Sequence, residues 1–186
     1  MELLRTQRVL LRHWEESDLP AFFDLYSRDE VMRWLGPRPR RALTTLEEAR
    51  ERMHRWHARE QGLAPPLGLW AIVPLLIGPR AGQPAGTVLL LPLVDTSGPT
   101  GLVEVGWHLH PQYQGQGLAT EAARAILAVA AKNGIDQVLA LTDLDNRASQ
   151  AVTARLGMND EGITERWFGL TTRQYRKVAG PVADTL

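Results

Sequence analysis

A glycine-rich segment in the second half of the chain has the residue types of an anion-binding turn. Small residues let a backbone approach a ligand closely, and the free amides at a helix N-terminus attract negative charge. The segment follows a predicted strand and precedes a predicted helix, so it is suited to hold a pyrophosphate. Its members are Gln114, Gly115, Gln116, Gly117, Leu118, Ala119 and Thr120.

The spacing within this segment argues against two common nucleotide sites. No lysine follows Gly117, so the turn is not a Walker loop. A dinucleotide fingerprint requires glycine at position 120, where this chain carries Thr120. Kinase and nicotinamide chemistry are therefore disfavoured. Taken alone, a glycine-rich turn between a strand and a helix also has a purely steric explanation.

The context of the turn resembles the GNAT acetyltransferase superfamily. Residues 104–122 resemble its central motif, whose Q/R-x-x-G-x-G/A signature is matched by Gln114, Gly117 and Ala119. Residues 145–158 resemble its second motif, and residues 6–12 resemble the Rim-type branch that acts on ribosomal-protein N-termini. The resemblance implies an N-acetyltransferase with acetyl-CoA as co-substrate and a protein N-terminal amine as acceptor. It also implies a homodimer, as in many members of this branch.

The resemblance further implies roles for individual residues. The backbone of His108 and Leu109 would contact pantetheine and the thioester, and the amides of residues 116–120 would hold the pyrophosphate. Asn146 would hydrogen-bond the pantetheine amide, although it also fits the N-cap of its own helix. Ser149 stands where many members carry a tyrosine that protonates the leaving thiolate, and a serine hydroxyl is a poorer proton donor.

Glu104 is the candidate general base. Its carboxylate lies in a strand otherwise made of Val, Gly and Trp, which suggests a position near a cleft. Alternatively, Glu104 is the partner of an ordinary ion pair or a polar residue on the face of the strand. By strand alternation His108 shares its face and either assists as a base or simply packs. His108 and His110 form an H-x-H pair that lacks a third ligand, so we predict no metal site.

The acceptor stays open at this level. An antibiotic or polyamine acceptor would need an acidic cleft, and a non-catalytic acyl-CoA-binding module would not need Glu104 or Ser149. The arginine cluster 38–41 could attract an acidic substrate or the CoA 3′-phosphate, or be a solvated loop. Acids that could line the acceptor site, or could simply be helix-surface charge, are Asp29, Glu30, Glu47, Glu48 and Glu51. Aromatic residues that could line it, or could instead belong to the core, are Trp34, Trp70, Trp167 and Phe168.

The elements that must position these residues indicate a mixed α/β (α+β) fold. Because a strand, a helix and a strand succeed one another around the turn, we expect a right-handed parallel crossover. The resemblance implies a GNAT-like, mostly antiparallel twisted sheet of about seven strands with one splayed parallel pair, flanked by about four to five helices. Predicted strands are 9–14, 69–73, 86–91, 103–109 and 137–142, with a closing hairpin over 162–178, and predicted helices are 19–26, 29–35, 46–60, 118–132 and 146–156. Thr45 and Glu48 fit a capping box at the start of the third helix, in which each side chain accepts the other's backbone amide.

Length and composition limit the remaining possibilities. The chain has 186 residues, 21 basic and 21 acidic side chains, and no cysteine. We expect one acetyltransferase domain over residues 1–180 and a frayed tail over 181–186. The balanced charge argues against nucleic acid, and the missing thiol excludes cysteine nucleophiles and thiolate metal sites. With no apolar stretch of membrane-spanning or signal-peptide character, we expect no membrane partner and a cytoplasmic protein.

Overall fold

A computed structural model describes residues 2–75 and 82–178 of the chain, so the predicted tail 181–186 lies outside the described residues. The described strands are β1 (Glu2–Arg5), β2 (Val9–His13), β3 (Gly68–Pro74), β4 (Gly86–Asp95), β5 (Gly98–Leu109), β6 (Gln137–Thr142), β7 (Asn159–Thr164) and β8 (Thr172–Val178). The described α-helices are α1 (Leu19–Tyr26), α2 (Asp29–Met32), α3 (Leu46–Gln61), α4 (Leu118–Lys132) and α5 (Arg147–Arg155). Single 3₁₀ turns at Glu16–Asp18 and Pro111–Tyr113 precede α1 and α4.

The strands form one sheet in the order β1-β2-β3-β4-β5-β6-β8-β7. Strands β5 and β6 run parallel, and every other pair of neighbouring strands in the described part is antiparallel. Helix α4 connects the parallel pair, because parallel neighbours need a long crossover connection. The predicted mixed α/β fold, with a mostly antiparallel sheet and one parallel pair, is confirmed.

The element boundaries differ from the prediction in several places, and the closing hairpin begins at Asn159 instead of Gly162. Strand β1 has only four residues and no alternating pattern, so the sequence carried no signal for it. Strands β4 and β5 pair as a hairpin as far as Asp95 and Gly98. Strand β4 therefore ends later, and β5 begins earlier, than predicted. Helix α2 stops at Met32 instead of Leu35.

The start of α3 shows how local chemistry fixes a boundary. The hydroxyl of Thr45 accepts a hydrogen bond from the amide of Glu48 at 3.2 Å, as predicted for an N-cap. The second bond of the predicted capping box, from the amide of Thr45 to the side chain of Glu48, was predicted wrongly. The Glu48 carboxylate accepts from the amide of Thr44 instead, at 2.8 Å. Glu48 also pairs with Arg41 at 2.7 Å, which ties the preceding loop to the helix.

The sheet buries a hydrophobic layer on each face. On one face, Val103 and Val105 pack with Leu118 and Ile126 of α4. On the opposite face, α1 and α3 cover a second layer in which Phe22 and Met53 are fully buried. Alternating side chains along the central strands supply both layers. Helices α3 and α4 therefore lie on opposite sides of β5.

Two of the aromatic residues considered for the acceptor site are buried, Trp70 in the layer beneath α4 and Trp167 in a separate cluster with Leu93 and Leu139. Trp70 and Trp167 are 2% and 0% exposed. Trp167 donates its indole N–H to the side-chain oxygen of Gln174 at 2.6 Å, which satisfies its buried polar atom. None of the helices in the described part of the chain is long and apolar enough to cross a lipid bilayer.

Close contact between β4 and β5 leads to a stability prediction. A Cβ atom at Gly86 would lie 2.2 Å from the backbone carbonyl oxygen of His108, so a side chain there must push the two strands apart. We expect Gly86→Ala to lower the free energy of unfolding by about 1–3 kcal/mol, the usual cost of overpacking, as measured by urea denaturation.

Gly62→Ala is the matched control. Its Cβ would lie 3.6 Å from the carbonyl oxygen of Arg59, which is ordinary contact. We expect its free energy of unfolding to change by less than about 0.5–1 kcal/mol. Equal values for both variants would show that β4 and β5 are not in close contact at this point.

Candidate active site

Strands β5 and β6 separate partway along their length. Their parallel pairing ends, within the described strands, at Glu104 and Leu139. Strand β5 nevertheless continues to Leu109, still paired with β4, and β6 continues to Thr142. Residues 105–109 therefore turn one unpaired backbone edge toward the gap, as an edge strand does.

This gap opens into a cleft of about 1050 Å³, large enough for a sizeable organic ligand. Its walls come from β5, α3, the loop after α2, and the N-terminal parts of α4 and α5. Most of the predicted site residues line it, namely Glu104, His108, Leu109, Gln114, Gly115, Gly117, Ala119, Thr120, Asn146 and Ser149. The structure thus brings together residues that are up to 45 positions apart in the sequence.

Gln116 and Leu118 do not line the cleft with the others. The side chain of Leu118 is fully buried in the hydrophobic layer beneath α4. The side-chain amide of Gln116 donates to the backbone carbonyl of Gln112 at 3.0 Å. The backbone carbonyl of Gln116 accepts a hydrogen bond from the Arg8 side chain at 2.9 Å. Both side chains therefore shape the turn and contribute no side-chain group to the cleft.

The turn before α4 presents backbone amides. Gly117 is the N-cap residue with φ 80°, a left-handed conformation that glycine adopts without steric cost. The amide of Glu121 makes a helical hydrogen bond to the Gly117 carbonyl at 3.0 Å. The amides of residues 118–120 precede it and have no helical acceptor. They lie at the positive end of the helix dipole, where an anion is stabilised.

A long-range ion pair holds this turn in place. Nε of Arg8 contacts a carboxylate oxygen of Glu121 at 2.6 Å. The same carboxylate accepts the hydroxyl of Thr6 at 2.6 Å and the backbone amide of Arg8 at 2.9 Å. Burial opposes ionisation of Glu121, but these hydrogen bonds outweigh it and hold its pKa below the usual range. Sequence reasoning missed this contact because the partners are 113 residues apart.

Glu104 points toward α3. It lies opposite Leu91 across the β4–β5 ladder, and Gly106 lies opposite Leu89. Leu89 and Leu91 pack against Trp56 of α3. Because directly opposed residues of antiparallel strands share a face, the Glu104 carboxyl is on the α3 side of the sheet.

The surroundings of Glu104 change its acidity. Burial raises the pKa of its carboxyl to about 7, and the positive charge of Arg59 works in the opposite direction. A carboxyl with this pKa exchanges its proton near neutral pH. That property is suited to general-base catalysis, which is most efficient when the pKa is close to the working pH.

His108 shares the α3 side with Glu104 and belongs to a chain of hydroxyl contacts. Its Nδ1 lies 3.0 Å from the hydroxyl of Tyr26, which lies 2.6 Å from the hydroxyl of Thr87. Burial, assisted by the charge of Arg52, lowers the pKa of His108 to about 4. The imidazole is therefore neutral at physiological pH, and its contact with Tyr26 fixes the ring.

The N-terminus of α5 forms the wall opposite β5. The side-chain oxygen of Asn146 accepts the amide of Ser149 at 3.1 Å, which confirms the predicted N-cap. Buried hydroxyls normally have hydrogen-bond partners. Those of Thr142 and Thr172, which also line the cleft, have none among residues 2–75 and 82–178. They are places where a polar group of a ligand can bind.

The α3 side of the cleft is lined by arginines that the sequence analysis did not single out. Arg52, Arg55 and Arg59 project from α3, at a spacing of three and four residues that places them on one face of the helix. This spacing was a usable signal. In the arginine cluster 38–41, two side chains already have acidic partners within the chain. Arg40 pairs with Asp143, and Arg41 pairs with Glu48.

The two histidines of the H-x-H pair are His108, in β5, and His110, directly after its end. Among the described residues, no group of three or more His, Cys, Asp or Glu is placed to hold a metal ion. His108 is in contact with Tyr26, and the Nδ1 of His110 accepts the amide of Gln112 at 3.2 Å. Both rings therefore have roles within the fold.

Comparison with known proteins supports an acetyltransferase. Residues 8–159 match the family model of the acetyltransferase (GNAT) domain. The chain is 36% identical over 64 residues to an uncharacterized N-acetyltransferase, YnaD, of Bacillus subtilis, covering 34% of this chain and 38% of that protein. It is 30% identical over 117 residues to the FsC-acetyl coenzyme A-N(2)-transacetylase of Aspergillus fumigatus, covering 60% of this chain and 47% of that protein. The matches thus span less than half the length of both relatives.

Among solved structures, the fold is similar to that of the ribosomal alpha-N-protein acetyltransferase RimL, in complex with coenzyme A. The TM-score is 0.74 at 20% identity, covering 96% of this chain and 98% of that one. At this identity the likeness describes the fold alone. The family match covers most of the sequence, including β5, the glycine-rich turn and α5. The chain therefore belongs to the GNAT acetyltransferase family.

Proposed function

We propose that this N-acetyltransferase takes its acetyl group from acetyl-CoA and transfers it to the α-amino group of a protein or peptide. The observation that carries the proposal is the separation of β5 from β6 directly beside the glycine-rich turn. It combines an unpaired strand edge, a row of free helix amides and a carboxyl group with a raised pKa in one cleft. The proposed acceptor follows the name of RimL, an alpha-N-protein acetyltransferase that shares this fold.

The described residues fit acetyl-CoA. The amides of residues 118–120 and the helix dipole suit its pyrophosphate. The edge of β5 that faces the gap can hydrogen-bond the pantetheine arm as a neighbouring strand would, through the Leu109 amide. The backbone of His108 faces β4 instead, because residues alternate between the two edges and the amide of His110 donates to the Ala85 carbonyl at 2.8 Å on the β4 side. Asn146, on the opposite wall, can contact the pantetheine amide. Gln114 holds the turn against β5, because its side-chain amide donates to the Leu109 carbonyl at 3.1 Å.

The proposed reaction is a direct attack on the thioester. The neutral amine forms a bond to the carbonyl carbon, and the bond from that carbon to sulfur breaks. Glu104 accepts the proton that the amine loses, directly or through water. The hydroxyl of Ser149 donates a proton to the leaving thiolate and recovers one from solvent. No covalent enzyme intermediate is required, in agreement with a chain that has no cysteine.

Release of free thiol tests this function. The protein is incubated with acetyl-CoA and one of a panel of peptides, polyamines or aminoglycosides, and thiol is followed spectroscopically. We expect thiol release with peptides and an acetyl group on their α-nitrogen by mass spectrometry. Tight acetyl-CoA binding without turnover on any amine would instead identify a non-catalytic acyl-CoA-binding module. Turnover with polyamines alone would replace the proposed acceptor.

Gly117→Val tests the pyrophosphate site. A β-branched side chain cannot adopt φ 80° without strain, so the amides of the turn move out of position. We expect the Kd for acetyl-CoA to increase by about 10–100-fold, the effect of losing hydrogen bonds to a charged group. Isothermal titration calorimetry measures it.

Gly134→Val is the control for strain alone. Gly134 follows the other end of α4 and also has a positive φ, of 76°. Its replacement should cost similar stability and leave the Kd unchanged. If both variants bind acetyl-CoA like the parent protein, the turn does not hold the pyrophosphate.

Glu104→Gln tests the general base. Glu104 accepts a proton only when ionised, so the parent rate should fall as the pH drops below about 7. This fall is one limb of the pH–rate profile, and we expect it to be absent from the variant. We also expect kcat to decrease by about 100-fold or more, within the usual contribution of general-base catalysis. The remaining limb belongs to the α-amino group of the acceptor, with a pKa of about 8.

Glu30→Gln is the matched control, because Glu30 lines the same cleft. It should keep the limb near pH 7. A Glu104→Gln profile that follows the parent would remove Glu104 as the base.

Ser149→Ala tests the proton donor. We expect kcat to fall about tenfold, less than the 10²–10⁴ of a well-matched acid, because an alkyl hydroxyl is a weak donor. Ser149→Thr keeps the hydroxyl and should restore most of the rate in the same thiol assay. An alanine variant as fast as the parent would mean that solvent protonates the thiolate.

A further inference from the structure

We infer that the acceptor carries a carboxylate close to its reacting amine, and that it is a peptide with acidic residues directly after its N-terminal residue. This inference rests on the proposed function and adds the charge of the substrate. It comes from the arginines of α3 that line the cleft on the side toward which Glu104 points.

The three arginines form one wall. Arg52, Arg55 and Arg59 follow a single face of α3 and extend over about 10 Å of the helix axis, at a rise of 1.5 Å per residue. An extended peptide advances about 3.3 Å per residue, so this wall matches about three acceptor residues. We call these three side chains the α3 arginine wall.

Arg52 is the deepest member of the wall. It is half-buried, donates to the sulfur of Met32 at 3.1 Å and lies 5.8 Å from the ring centre of Tyr26. Within residues 2–75 and 82–178, neither Arg52 nor Arg59 has a carboxylate within ion-pairing distance. A partly desolvated cation without a counterion is unfavourable, and a bound carboxylate would remove that cost.

The other charges of the cleft do not cancel the wall. Arg55 contacts only the exposed Glu51, at 3.8 Å, among the described carboxylates. Asp143 is paired with Arg40. Glu30 and Glu104 are the remaining acidic side chains of the described lining, and the carboxyl of Glu104 is partly protonated near neutral pH. The acceptor side is therefore positively charged, which disfavours a polyamine.

The wall is separate from the proposed pyrophosphate site. Helix α3 covers the face of β5 that carries Glu104 and His108, whereas α4 packs on the opposite face. The charge of Arg59 influences Glu104, and that of Arg52 influences His108. A peptide amine at Glu104 would consequently place its next side chains along the α3 arginine wall.

Three peptides with the same N-terminal residue test the inference. Positions 2–4 carry Asp and Glu in one, Ala and Gln in the second, and Lys and Arg in the third. At low ionic strength we expect kcat/KM to fall about tenfold at each step from acidic to neutral to basic, because complementary charge favours encounter and binding. Raising the salt concentration should narrow the differences, because the contacts are partly exposed.

Charge changes on α3 assign the preference. We expect the double variant Arg55→Gln, Arg59→Gln to lose most of the acidic-to-neutral ratio, and Arg55→Glu, Arg59→Glu to favour the basic peptide. Arg50→Gln is the matched control, because Arg50 lies on the same helix but pairs with Glu16 and Glu47 outside the cleft. It should keep the parent ratio. Circular dichroism confirms that each variant is folded.

The outcomes separate this inference from the proposed function. Equal rates on all three peptides would overturn the inference and leave the proposed peptide acetylation standing. Turnover of free glutamate or aspartate without any peptide would overturn the peptide acceptor and show that the carboxylate belongs to a small amine. No thiol release with any amine, while acetyl-CoA still binds, would overturn the proposed function and the inference with it.

Discussion

The separation of β5 from β6 is the constraint on which the rest of the site depends. Each of these strands remains paired with its other neighbour as far as the cleft. Strand β5 pairs with β4 up to Leu109, and β6 pairs with β8 up to Thr142. Between them, pairing stops at Glu104. Backbone groups without partners are unfavourable when buried, so the gap must be filled by water or by a ligand with its own amides. The pantetheine arm has such amides, which links the fold directly to the proposed co-substrate.

The sheet also separates two kinds of charge recognition. On the α4 side, backbone amides and a helix dipole provide positive potential next to Arg124 and Arg155, and the ion pair between Arg8 and Glu121 keeps the turn in position. On the α3 side, arginine side chains along one helix face provide it. Glu104 lies between these regions, and its raised pKa follows from burial in the cleft that both share.

Local sequence signals predicted much of this arrangement. The caps at Thr45 and Asn146 follow from hydrogen bonds within one turn, so residue type and spacing were sufficient. The glycine-rich turn was found for the same reason. Signals failed where the partner is distant. Arg40 was considered either as a group that attracts an anionic ligand or as part of a solvated loop, but it pairs with Asp143, which is 103 residues away. The hydrogen-bonded series formed by Thr87, Tyr26 and His108 connects three elements, so no short sequence pattern predicts it.

The sequence by itself determined the family, the order of the strands and helices after β1, and the residues of the anion-binding turn, because these depend on periodicity and on contacts between near neighbours. Tertiary structure alone decided which side chains share the cleft. It placed Trp70 and Trp167 in the core, and it placed the arginines of α3 opposite β5. It also set the acidity of Glu104. Burial and long-range charge depend on how elements pack across the sheet, and no single stretch of sequence contains that information.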